Sequence, residues 1–182
     1  MLTSQLEIIK QGQDYLSNLT INEDIDKYRE IITPLFISSA GAHMRHIIDH
    51  YLALISGLSK GYIDYDVRRR GDKLELELQL ALDKLTQIAQ WLQSLATTDL
   101  NQPLALSTEV SVQEKKVQSV PTSLARELVF VGSHAVHHYA MIAQIALQQK
   151  MDLPASFGIA PATATYLRQV LSNEGPALSK EA

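Results

Sequence analysis

The sequence predicts an all-α fold: a four-helix bundle with a short β-hairpin inserted before the last bundle helix. Three observations predict it. Apolar residues recur at helical spacing in four long segments, only one stretch is rich in β-branched residues, and 46% hydrophobic with 20% charged residues suits a soluble globular chain. The 182 residues fit one domain, with a core over about 2–150 and a C-terminal extension over 151–182.

The first helix spans Leu2 to Leu19, where Leu6, Ile9, Tyr15, Leu16 and Leu19 form the apolar stripe and Gly12 weakens the middle. A polar connection with one helical turn follows and ends at Pro34. Ser38 or Ser39 then caps a second helix to about Leu58, whose Met44, Ile47, Ile48, Tyr51, Leu54 and Ile55 suit an element packed between two neighbours. Gly57 and Gly61 bracket its end, and a long connection, KGYIDYDVRRRG, permits a crossover.

Asp72 is placed to cap a third helix running to about Leu95, with Glu75 as its capping-box partner. Residues Pro103 to Val120 alternate roughly and read as the hairpin. Pro121 and Thr122 open a fourth helix to about Gln149, and the tail from Asp152 holds turns and one final helix.

Composition excludes several functions. Sixteen Lys and Arg against 20 Asp and Glu give a net charge of −4, which argues against nucleic-acid binding. The absence of cysteine excludes disulfides, Cys-ligated zinc, Fe–S clusters and protein-thiol catalysis. Neither GxGxxG nor GxxxxGK[ST] occurs, so the usual phosphate loops are missing. No apolar run approaches the ~18 residues of a membrane span, and the N-terminus turns polar too early for a signal peptide. A cytoplasmic protein without a membrane partner is expected.

All six histidines fall in two windows, His43 to His50 and His134 to His138. At 100° per residue, His43, His46 and His50 lie within about 60° of one another, and His134 and His138 stack one turn apart. Neutral imidazole is the commonest protein ligand for Zn²⁺ and Ni²⁺, and two helices can therefore offer a three-histidine site with a fourth position open. Singly, such residues are ordinary polar groups on helix borders; their clustering on two separate helices favours one divalent metal ion. Ala135 breaks any HExxH pattern, and the two nearby carboxylates, Asp49 and Glu127, are too few for a di-iron centre.

The segments SAGAHMRHIIDHYLAL, YDVRRRG and RELVFVGSHAVHHYAMIA together resemble the DinB/YfiT-type superfamily of metal-binding four-helix bundles, especially its uncharacterised bacterial members. The resemblance implies that His46, His134 and His138 bind a single divalent ion, with His43, His50 and His137 as alternates. It departs at Ser133, where the family has Asn, and at Tyr139, Ala140 and Met141, where the family has Arg-Gly-Gln. Characterised members are thiol S-transferases or metal-dependent hydrolases and isomerases. The implied function is hydrolysis or S-transfer of a small-molecule substrate, with Zn or Ni and a low-molecular-weight thiol cosubstrate; a homodimer is also implied. A non-catalytic, stress-associated metal protein and a metal-free helical interaction module are the alternatives.

Asp49 and Glu127 are candidate catalytic residues, able to orient an imidazole or act as a base unless they are simply solvated. Arg68, Arg69 and Arg70 are candidates for holding an anionic cosubstrate, against a solvated loop paired with Asp64, Asp66 and Asp72. Trp91 and Tyr139 are candidates for lining a pocket, against membership of the core.

Overall fold

Four long helices arise where the apolar stripes lie, and the caps explain where they begin. In the computed structural model, which describes residues 1–67 and 71–173, α1 spans Leu2–Ile21, α2 is the short Ile25–Arg29, α3 is Ala40–Lys60 and α4 is Leu78–Ser94. Helix α5 spans Leu124–Gln148 and α6 Pro161–Asn173. The Ser39 hydroxyl accepts from the Ala42 amide and starts α3, while Gly61 closes it in the left-handed region at φ 70°.

Helix α1 packs on α4 and α5, and α3 packs on α5 and α4, so the four enclose one core. Leu16, Met44, Tyr51, Leu85, Leu128 and Ile142 are fully buried within it. The segment before α6 joins this core: the Phe157 ring lies 5.7 Å from Tyr15 and 5.2 Å from Tyr139, and the Gly158 amide donates to Gln11 Oε1 at 3.0 Å. No helix among the described residues is long and apolar enough to cross a membrane.

The all-α expectation of a four-helix bundle is overturned by a three-stranded sheet, which makes the fold mixed α/β. Strand β1, Tyr62–Asp64, runs parallel to β2, Pro103–Glu109, and β2 runs antiparallel to β3, Val117–Ser123. The hairpin region forms β2 and β3, whereas β1 lies in the long stretch expected to be connection. A three-residue strand has no period to detect, and its partner register, Tyr62 opposite Ala105, comes from far along the chain. Gly57 admits β1 to the surface of α3, because a Cβ there would meet Ile63 Cγ1 at 2.6 Å and the Tyr62 carbonyl at 2.8 Å.

Two predicted helix starts also move. Asp72 caps only a 3₁₀ turn, Lys73–Glu75, and Leu78 begins α4. Glu75 makes no capping box: its Oε1 accepts from Arg45 Nε and from the Gly71 amide, both at 3.0 Å. Pro121 and Thr122 belong to β3, where pairing with β2 competes successfully with helix initiation, and Ser123 caps α5 instead.

Candidate metal centre

Helices α3 and α5 face each other, and their histidines meet across the contact. His46 Nε2 lies 3.0 Å from His134 Nε2, which lies 3.2 Å from His138 Nε2. The three ligand atoms are all within 4.8 Å of one another, and the side chains are half-buried. Tetrahedral zinc with Zn–N of about 2.0–2.1 Å sets nitrogens about 3.3 Å apart, close to these spacings.

Hydrogen bonding between the rings explains the convergence poorly. A ring nitrogen carries either one hydrogen or one lone pair, directed at one partner, yet His134 Nε2 has two imidazole nitrogens at contact distance. A cation between the three nitrogens satisfies all of them. Burial, reinforced by His134, His46, His43 and His137, pushes the His138 pKa down to about 2, so its ring stays neutral, the form that ligates.

The surrounding groups set ring orientation. His43 Nδ1 lies 2.9 Å from His138 Nδ1, so a His138 ligating through Nε2 donates its Nδ1–H to His43. Burial, His137 and Arg45 lower the His43 pKa, which keeps that acceptor neutral. His50 Nδ1 lies 2.9 Å from the His46 carbonyl, to which it donates, and its ring lies between Tyr65 and His134, with centroids at 5.2 and 4.2 Å. Phe130 stacks on His134 at 5.7 Å. One side of the centre is therefore an aromatic wall of His50, Tyr65 and Phe130.

Both candidate carboxylates are buried and structurally engaged. Asp49 Oδ2 accepts from Arg45 Nη1 at 3.1 Å, and Arg45 also holds Glu75, tying α3 to the turn before α4. Glu127 accepts from Tyr65 at 2.7 Å, Thr122 at 2.6 Å and Arg126 at 3.3 Å, so it acts on the centre through the Tyr65 ring stacked on His50. Burial and the bond to Glu127 raise the Tyr65 pKa far above its ordinary value, leaving the phenol a donor.

His137 points outward; its ring is 5.2 Å from that of His138 and 6.5 Å from that of His134. Tyr139 is core, and Trp91 packs partly buried against the core. Arg68, Arg69 and Arg70 lie outside the described residues. Sequence reasoning missed Tyr65, Phe130 and Gln5. Phe130 was within reach, being four residues before His134 on one helix, whereas Tyr65 arrives through β1 and carries no local signal.

Comparison with known proteins gives a different relationship from the one the histidine segments suggested. An FK506-binding protein 5 of Rhizopus delemar is 28% identical over 107 residues, 59% of this chain and 28% of that protein. The matched stretch thus spans little more than a quarter of the relative's length. No family model matches, and no solved structure matches. The DinB/YfiT-type assignment is corrected accordingly: the relative found is an FK506-binding protein, and the histidine segments do not carry the family. The physical reason is that a His-x-x-x-His pair facing a third histidine is a local ligand geometry that any packed pair of helices can present.

Proposed function

We propose that this chain is a metal-dependent enzyme holding one divalent ion, Zn or Ni, on His46, His134 and His138. The convergence of three Nε2 atoms at 3.0 and 3.2 Å spacings carries the reading. Such an ion, when bound, lowers the pKa of a coordinated water or thiol and so supplies a nucleophile near neutral pH. Three protein ligands leave a position for that nucleophile, and no carboxylate among the described residues joins the ligand group. His43 holds the tautomer of His138, and the wall of His50, Tyr65 and Phe130 keeps water off one side. The reaction class is hydrolysis or group transfer on a small molecule, in the cytoplasm; any transferred thiol is external, since the chain has no cysteine.

The test is elemental mass spectrometry on tag-free protein never exposed to a nickel column, for wild type, His46→Ala and His134→Ala. Near-stoichiometric metal lost in both variants is expected. Wild-type protein that carries no metal and takes up neither Zn²⁺ nor Ni²⁺ on titration refutes the reading.

A second reading rests on the relative, whose name records FK506 binding. It expects saturable binding of FK506 by calorimetry that persists in His46→Ala, and it fails if wild type binds none.

A further inference from the structure

Beyond the metal centre, α1, α5 and the segment leading into α6 border an open, half-exposed cavity of about 790 Å³. Ile8, Val129, Val136, Ala140 and Pro161 give it apolar walls, and no Asp, Glu, Lys or Arg side chain among the described residues lines it. Its end at α5 is formed by Ser133 and His137. His137 therefore lies between this space and the centre along the chain, next to the candidate ligand His138, whose ring is 5.2 Å from its own.

Of its polar side chains, Ser4, Ser133 and His137 are exposed and Gln5 is buried. Gln5 is 95% buried, and its Oε1 accepts from the Tyr51 hydroxyl at 2.8 Å. That bond orients the amide and leaves Nε2 facing the lined space, where an oxygen of water or of a ligand can accept from it. Gly132 makes room for it: a Cβ at position 132 would lie 2.5 Å from Gln5 Nε2.

We infer that this cavity binds the substrate, a neutral and largely apolar molecule bearing a carbonyl or ether oxygen that accepts from Gln5 Nε2. Its apolar body lies against Ile8, Val129 and Val136, and its reacting end passes His137 toward the three-histidine centre. The lining carries no charged side chain among the described residues, which favours a neutral molecule over an anionic thiol. The assignment rests on the metal reading only for what happens at the reacting end.

The probe is Prodan, a neutral naphthalene with a propionyl carbonyl and polarity-sensitive emission. Saturable one-to-one binding with a blue shift is expected in wild type. It should be lost in Val129→Trp, which fills the rim from a half-exposed position, and kept in Leu147→Trp, an exposed position of α5 outside the lining. Circular dichroism checks folding, and Ala160→Trp at the opposite rim replaces Val129→Trp if that variant misfolds. The analogue lacking the carbonyl, 2-dimethylaminonaphthalene, should bind about ten-fold more weakly. No saturable binding, binding indifferent to both rim variants, equal affinity for the analogue, or tighter binding of anionic anilinonaphthalene sulfonate overturns the inference. With Co²⁺ in place of Zn²⁺, the proton resonances of bound Prodan should broaden. Unbroadened signals in Co²⁺-loaded protein also overturn it, whereas protein that takes up no metal refutes the metal reading and leaves the Prodan titrations to judge the cavity.

Discussion

Replacing His43 separates a positioned ligand from a merely nearby one. His43 Nδ1 sits 2.9 Å from His138 Nδ1, so in a metal-bound centre it accepts the proton that fixes the His138 tautomer. Losing such a contact typically lowers metal affinity by about 10–100-fold, or about 1.4–2.7 kcal/mol. His43→Leu fills similar space without an acceptor and should fall in that range. His43→Asn places its amide oxygen near the position of Nδ1 and should recover most of the loss. Competition for Zn²⁺ against a chromophoric chelator measures both. Equal affinities for wild type and His43→Leu, or equal losses in the two variants, refute the reasoning, because the hydrogen bond and not the ring volume is held responsible.

Arg45→Met should destabilise the protein by about 3 kcal/mol in urea unfolding, because it removes the cation shared by Asp49 and Glu75 at a nearly buried site; a loss below about 1 kcal/mol contradicts this. In metal-free protein the lowered pKa of His138 makes the unfolded chain bind the proton more readily, so stability is fully present above about pH 6.5 and declines as pH falls toward the folded value. Melting temperature should therefore drop from pH 7 to pH 5 more steeply in wild type than in His138→Gln, and equal slopes rule it out. Gly57→Val should destabilise despite its helical position by forcing β1 off α3, where a Cβ would meet Ile63 Cγ1 at 2.6 Å; thermal denaturation with an unchanged midpoint argues against that close approach.

The long helices were legible because each buries one face, and burial of one face imposes a period on the chain. Ile47, Tyr51 and Leu54 on α3, or Leu128, Ala135 and Ile142 on α5, are such positions, and all lie in the core. The clustering of histidines was equally legible, since i, i+4 spacing alone stacks His134 and His138. The family was not. Local ligand spacing constrains two turns of helix and says little about the rest of the chain, and the relative found is an FK506-binding protein.

Asp49 and Glu127 show where spacing stops being informative. Both lie near histidines in sequence, yet one is committed to Arg45 and the other to Tyr65, Thr122 and Arg126, partners drawn from their own helix and from β3 and the connection beyond β1. Periodicity and capping chemistry act over a few residues, so the helical stripes, the Ser39 cap and the paired histidines follow from the chain's own order. The parallel pairing of Tyr62–Asp64 with β2, the meeting of His46 with His134, and the approach of Gln5 to Gly132 depend on segments far apart in the chain. Only packing decides those, because the free energy that holds them is the burial of surfaces that no single segment possesses.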